Sequence, residues 1–102
     1  MTPRDVLIAA KALIDTPEKW CQGHERVGKR RCAARALITV IGLPMGFHFA
    51  DLRGHPAYQI LNLAMSGQNL DKEGWVAYFN DTHSHRDVMD AWDRAIELAG
   101  ES

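Results

Sequence analysis

Apolar residues recur three or four positions apart in four segments of the chain, residues 3–14, 32–41, 56–65 and 88–99. This spacing places apolar side chains on one face of an α-helix. The last and longest segment alternates apolar with charged positions, as an amphipathic surface helix does. The pattern predicts an all-α fold, a single compact bundle of four to five short helices built from residues 1–102.

Two of these helices carry start signals. Thr2 precedes Pro3 and stands three residues before Asp5, and Ser84 stands three residues before Asp87. A hydroxyl at the N-cap and an acid three positions later can satisfy two backbone N–H groups reciprocally, and proline at the first helical position leaves no N–H unsatisfied. We therefore predict capping boxes at both positions.

Two further segments are ambiguous. Residues 37–41 are rich in β-branched side chains, and residues 75–79 are short and aromatic, so each could be a buried strand. The helical interpretation of the second places Asp71 at its N-cap. The alternative fold is therefore α+β, with a small two-stranded hairpin formed by residues 37–41 and 75–79.

Three segments lack a clean period and are predicted to be irregular: residues 20–29, 42–54 and 80–82. The first contains Gly-marked turns and a tryptophan expected to anchor the loop. In the second, Phe47 and Phe49 are expected to be buried, with an exposed docking tip as the alternative.

Composition limits the class of protein. The chain has 102 residues, 46% hydrophobic, with a net charge of −1, which excludes a two-domain enzyme, a fibre and a mainly disordered chain. Two cysteines are too few for a disulfide-built secreted scaffold. The longest apolar run, residues 37–43, is far shorter than the roughly 20 residues that span a bilayer, and no signal peptide is recognised. We expect a soluble, cytoplasmic protein that does not contact membranes.

Charge is distributed unevenly. Residues 1–36 contain eight Lys or Arg and four Asp or Glu, whereas residues 37–102 contain four and nine. The cations crowd the junction between the first loop and the second helix, at Arg26, Lys29, Arg30, Arg31 and Arg35. Clustered cations can bind phosphate, nucleic acid or an acidic protein, but no aromatic residue is interleaved for base stacking. We therefore expect a protein partner, with Trp20 and Gln22 anchoring the loop beneath the cations, and regard nucleic acid as a poor candidate.

The chain also supplies an acidic surface of its own. One face of the last predicted helix carries Asp87, Asp90, Asp93 and Glu97. These carboxylates could answer the basic junction within one molecule or across a homodimer. A solvated, inert face is the simpler alternative for both charged surfaces.

A cysteine-dependent hydrolase or transferase is the catalytic alternative. Cys32 begins a predicted helix, where the dipole favours a thiolate nucleophile. His83 or His85 could act as the base, and Asn80 or Asp81 could orient it. In the non-catalytic interpretation the cysteine is a small buried residue, and Asn80 and Asp81 hold helix ends and loops by hydrogen bonds.

A zinc site is the second alternative. Cys21, His24 and Cys32 could supply three ligands, but structural zinc sites contain two close ligand pairs, whereas these residues form one mixed pair and a lone cysteine. We therefore expect no metal and no cofactor.

Four short motifs occur in a recognisable order: Trp20-Cys21-Gln22-Gly23, residues 32–37 (Cys-Ala-Ala-Arg-Ala-Leu), Phe79-Asn80-Asp81 and residues 93–96 (Asp-Arg-Ala-Ile). Together they resemble a family of small bacterial and phage proteins known only as a domain of unknown function. In that family's pattern a glycine stands at the position of Arg35 and a tryptophan at the position of Phe79. The resemblance implies no activity, so the leading hypothesis is a small non-catalytic module that binds a protein partner through the basic junction.

Overall fold

Six α-helices make up most of the part of the chain that the structure describes. The computed structural model describes residues 1–24, 26–66 and 75–100. The helices are α1 (Pro3–Ala12), α2 (Ala33–Ile41), α3 (Phe49–Arg53), α4 (Pro56–Ser66), α5 (Trp75–Thr82) and α6 (His85–Ala99). A 3₁₀ turn spans Pro17–Lys19, and two short strands, β1 (Arg26–Val27) and β2 (Arg30–Arg31), pair antiparallel. Among the described helices, none has the length and apolar character needed to cross a bilayer.

The all-α prediction is confirmed, and the predicted helix starts are found. In α1 the Asp5 N–H donates to Thr2 Oγ1 at 3.1 Å, and the Thr2 N–H donates to Asp5 Oδ2 at 3.3 Å, which completes the box. At α6 the Asp87 N–H donates to Ser84 Oγ at 3.1 Å, which is one half of the predicted box. Local side chains therefore define where the first and last helices begin.

Helices α1, α4 and α6 pack together at the centre, with α2 against α1 and α5 against α4 and α2. Trp92 of α6 is fully buried, and its indole N–H donates to the Leu7 carbonyl of α1 at 2.7 Å. This bond joins the two ends of the chain while satisfying the buried indole. The largest fully buried apolar side chains around it are Leu7, Ile14, Leu37, Leu52, Tyr58, Leu61, Val76 and Val88.

The α+β alternative is wrong, because residues 37–41 lie in α2 and residues 75–79 lie in α5. Gly42 ends α2 in the left-handed region at φ 82°, and its N–H donates to the Ile38 carbonyl. A strand would turn alternate side chains outward, whereas Leu37 and Ile38 are both buried. The hairpin that does form lies elsewhere, in β1 and β2.

Two predicted irregular segments also contain helix. Residues 80 and 81 lie inside α5, which ends at Thr82, so the break falls at residues 83–84. Asn80 and Asp81 bond to another part of the chain and do not compete with the helix backbone. Residues 49–53 form α3, which begins with reciprocal bonds between His48 and Asp51.

The aromatic residues are only partly placed as expected. Phe47 is half-buried against the core, but Phe49 is 45% exposed and meets the ring of Tyr58 edge-on at 5.9 Å. The predicted burial is therefore met only in part for Phe47 and is wrong for Phe49. The predicted N-cap at Asp71 and the side chain of Trp75 lie outside the described residues.

Candidate functional site

The motif residues meet at the side chain of Asn80, which is fully buried in the last turns of α5. Its Oδ1 accepts from Trp20 Nε1 at 2.6 Å and from the Ala33 N–H at 2.9 Å. Its Nδ2 donates to the Cys21 carbonyl at 3.0 Å and to Asp81 Oδ1 at 3.1 Å. An asparagine amide has two donor hydrogens and two acceptor lone pairs, so every hydrogen-bonding position of Asn80 is used.

Gln22 and Asp81 extend these contacts. Gln22 Nε2 donates to the Asn80 carbonyl at 3.1 Å and to the His83 carbonyl at 2.8 Å. Both carbonyls lie at the C-terminal end of α5, where helices leave acceptors without an internal partner. Asp81 Oδ1 accepts from the Gly23 N–H at 2.8 Å, and Gly23 adopts φ 75°, a backbone conformation that glycine enters without steric cost.

We name the side chains of Trp20, Gln22, Asn80 and Asp81, with the backbone groups that they bond, the Asn80 network. It ties the loop at residues 20–23 to the end of α5 and to the first N–H of α2. The sequence interpretation in which Asn80 and Asp81 hold loops and helix ends agrees with these contacts. The network is a structural joint, because its central amide has no free position for a substrate.

The predicted basic junction is a β-hairpin next to this joint. Arg26 pairs with Arg31 and Val27 with Arg30, which leaves Gly28 and Lys29 as the two turn residues. Gly28 has φ 59°, and no described non-glycine residue has a positive φ, a combination that matches a type II′ turn. We call residues 26–31 the basic hairpin.

The cations of the junction differ in exposure. Lys29 and Arg30 are exposed, while Arg31 and Arg35 are half-buried; the side chain of Arg26 lies outside the described residues. Arg31 also bonds back to the anchored loop, since its carbonyl accepts from the Cys21 N–H at 3.2 Å. The structure therefore joins Arg31 to Trp20 and brings Arg30 to the same groove as Trp20 and Gln22.

An open groove of about 440 Å³ separates the hairpin from the 3₁₀ turn. It is lined by Pro17, Trp20, Cys21, Gln22, Val27 and Arg30. The sequence reasoning missed Pro17 and Val27. The signal available in the sequence was Val27, an apolar residue among the cations of this turn, which indicates an apolar contact at this surface.

One carboxylate stands near this groove. The pKa of the exposed Glu18 lies below its ordinary value, mainly because its own backbone N–H and the Thr16 hydroxyl hydrogen-bond to the ionised form. Arg30 contributes more weakly through its charge.

The acidic face of α6 forms an ion pair with α1 and not with the basic hairpin. Asp87, Asp90, Asp93 and Glu97 are all exposed, and Asp93 pairs with Lys11 of α1. This ion pair therefore joins the acidic face of α6 to α1.

The two cysteines are buried thiols. Cys21 Sγ donates to the His24 carbonyl at 3.3 Å, and Cys32 Sγ accepts from the Arg35 N–H at 3.4 Å. Burial raises the pKa of the Cys21 thiol, and the charge of Asp81 adds to that shift.

The three ligands of the alternative zinc site are not assembled. Within residues 1–24, 26–66 and 75–100, no three His, Cys, Asp or Glu side chains are grouped so that they could hold a metal ion. The contact between Cys21 and His24 joins the thiol to a backbone carbonyl and does not involve the imidazole.

The two histidines of the catalytic alternative have other partners. The His83 ring stacks on Phe79 with centroids 3.7 Å apart, and its Nδ1 lies 3.1 Å from the Phe79 carbonyl. His85 Nε2 lies 2.7 Å from the Ile14 carbonyl, and its ring meets Trp20 edge-on. These contacts give no support to a Cys32–histidine pair.

The family resemblance is confirmed. Residues 1–98 match the model of a family of unknown function, DUF6197, and the chain belongs to that family. No curated protein and no solved structure matches the chain.

Proposed function

We propose that this member of the DUF6197 family is a non-catalytic module that binds an acidic segment of a protein partner through its basic hairpin. The observation that carries the proposal is the exposure of Lys29 and Arg30 at a hairpin whose base is attached to the Asn80 network.

Attachment to the network prepares the hairpin for binding. A two-stranded hairpin is marginally stable by itself in water, and strands of two residues are shorter than most. Here the Cys21–Arg31 backbone bond and the parallel bridge between Trp20 and Arg31 hold the second strand to the anchored loop. Cations held in place before binding reduce the ordering cost of association.

The groove beside the hairpin complements the charge. Pro17, Trp20 and Val27 offer apolar surface, and Val27 is 48% exposed. Arg30 lines the same groove. A segment that places carboxylates on Lys29 and Arg30 and one apolar side chain in the groove therefore matches both features, because charge steers encounter while apolar burial supplies affinity.

The test compares two double charge reversals of equal size. Lys29→Glu/Arg30→Glu inverts the hairpin, and Arg4→Glu/Arg86→Glu inverts two exposed cations on α1 and α6. The probe is a fluorescent peptide of Asp and Glu residues with one central leucine, measured by anisotropy at low and physiological salt. We expect the hairpin variant to lose about tenfold or more in affinity and the control variant to bind like the original protein.

Other outcomes would overturn the proposal. Equal binding by the two variants would show that the hairpin is only a solvated surface. Tighter binding of duplex DNA than of the acidic peptide would replace the protein partner by nucleic acid. A concentration-dependent dimer that the hairpin variant abolishes, without peptide binding, would assign the surface to self-association.

A further inference from the structure

Cys21 and Cys32 lie opposite each other on neighbouring extended segments. Trp20 and Arg31 form a parallel bridge, and the Cys21 N–H donates to the Arg31 carbonyl at 3.2 Å. In a parallel pair, the residues that follow two bridged partners are also opposite, and the segments lie about 4.8 Å apart. Cys21 and Cys32 are therefore the residues that directly follow the bridged pair on the two segments.

The Asn80 amide lies between the two segments directly after the bridged pair. Its Nδ2 donates to the Cys21 carbonyl at 3.0 Å, and its Oδ1 accepts from the N–H of Ala33, the residue after Cys32, at 2.9 Å. One amide group thus spans from the backbone of one cysteine to the backbone beside the other. Both side chains are buried, at 8% and 7% exposure, as expected for residues on the same face of paired segments.

The spacing fits a disulfide. Disulfides join residues whose Cα atoms are about 4.4–6.8 Å apart, which includes the separation of opposed residues on adjacent extended segments. The link would close a loop that contains residues 22–31, including the basic hairpin, at the point where that hairpin joins the body of the protein.

The two thiols differ in the way that a stepwise oxidation requires. Cys32 Sγ accepts the Arg35 N–H at the start of α2, a contact and a dipole that stabilise a thiolate. Burial raises the pKa of the Cys21 thiol and so disfavours its thiolate. Cys32 is suited to attack an oxidant first, and Cys21 to resolve the product.

We propose that Cys21 and Cys32 form a redox-modification site that a peroxide converts into an intramolecular disulfide. The Cys32 thiolate attacks one oxygen of hydrogen peroxide, the O–O bond breaks, and a sulfenic acid and hydroxide form. The Cys21 sulfur then attacks the Cys32 sulfur, the S–O bond breaks, and the hydroxyl leaves with the thiol proton as water. Two thiols are oxidised and one peroxide is reduced to water and hydroxide, which a proton from solvent neutralises.

This inference does not depend on the proposed docking of a partner. The oxidised and reduced forms differ in the covalent attachment of the basic hairpin whether or not a partner binds it.

The test uses the full chain, reduced and then treated with hydrogen peroxide. Remaining thiols are trapped with maleimide under denaturing conditions, and the intact mass is measured before and after dithiothreitol. We expect a monomer that is lighter by about 2 Da, takes up no maleimide, and regains both thiols on reduction. Trypsin places the cysteines on separate peptides, residues 20–26 and 32–35, so the link is identified directly as a joined pair of peptides.

Single variants separate the two roles. In Cys21→Ser, dimedone should trap a sulfenic acid on Cys32, because the resolving thiol is gone. In Cys32→Ser, Cys21 should react with peroxide about tenfold more slowly than Cys32 does in Cys21→Ser, because the Cys21 thiolate is disfavoured. Neither variant should lose the mass of two hydrogens.

The original protein alone can overturn the proposal, whatever the folding of the variants. The proposal is overturned if the protein retains two maleimide-reactive thiols while glutathione in the same tube is oxidised. Conversion of Cys32 to a sulfinic acid, about 32 Da heavier, with Cys21 still reactive would do so as well. A disulfide found between chains would also contradict it.

Discussion

At the scale of single residues, Asn80 holds the most consequential position. It is a buried polar side chain, and such a group is costly unless it is hydrogen-bonded. Its amide meets that requirement by binding Trp20 and Cys21 in the loop and Ala33 at the start of α2. Trp20 and Gln22 also have side-chain N–H groups, and these donate hydrogen bonds that hold the loop to the end of α5.

Asn80→Ala should destabilise the protein by about 2–4 kcal/mol, because the Ala33 N–H, the Cys21 carbonyl and the indole N–H lose their partner while desolvated. Urea denaturation followed by circular dichroism measures the loss. Asn62→Ala is the matched control, since Asn62 Oδ1 is buried with no hydrogen-bond partner among the described residues, and it should cost less than about 1 kcal/mol. Equal losses for the two variants would contradict the role of Asn80.

At the scale of elements, start and stop signals decided the helices that the sequence predicts best. Thr2 and Ser84 accept N–H groups in the first turns of α1 and α6, and Gly42 ends α2. For α5 local signals were not sufficient, because its aromatic run suits a helix or a strand equally. Val76 and Phe79 are buried at helical spacing, and Thr82 Oγ1 bonds the Tyr78 carbonyl four residues earlier, so packing selects the helix.

Ser84→Ala should destabilise the protein by about 1 kcal/mol, because the Asp87 N–H loses its side-chain acceptor at the start of α6. Ser84→Asp keeps an acceptor and adds a negative charge at the positive end of the helix dipole, so its stability should stay within a few tenths of a kcal/mol of the original. The midpoint of urea unfolding, at unchanged slope, reports both values. A loss for Ser84→Asp as large as that for Ser84→Ala would show that the cap is not what stabilises this end.

At the scale of the whole molecule, one apolar core is shared by all six helices. Leu7 of α1, Leu37 of α2, Leu52 of α3 and Leu61 of α4 lie in the same buried cluster as the apolar residues of α5 and α6. Trp92 adds a direct bond between the last helix and the first. Separation of any one helix from this core would therefore expose buried apolar side chains of the others.

Unfolding should therefore be a single cooperative transition. Circular dichroism reports the helices, and tryptophan fluorescence reports the core through Trp92 and the anchored loop through Trp20, so the two curves should coincide in urea. In Asn80→Ala both curves should move together to lower urea. A fluorescence change that precedes the loss of helix would show instead that the loop and the basic hairpin separate from the core as an independent unit.

The sequence by itself determined the helical class, four of the six helices in the described part of the chain, the N-caps at Thr2 and Ser84, and the family. These follow from periodicity, from hydrogen bonds between residues three positions apart and from motif order, all of which are local or read directly along the chain. It also brought forward Trp20, Gln22, Asn80 and Asp81 as related residues, without the reason for their relation.

Tertiary structure alone decided what those residues do and where the hairpin lies. The Asn80 bonds join residues about 50 to 60 positions apart, and partners at that separation leave no periodic trace in a sequence. The same holds for the helix at α5 and for the exposure of Phe49. Each depends on which surfaces the folded core brings together, because packing overrides weak local propensity.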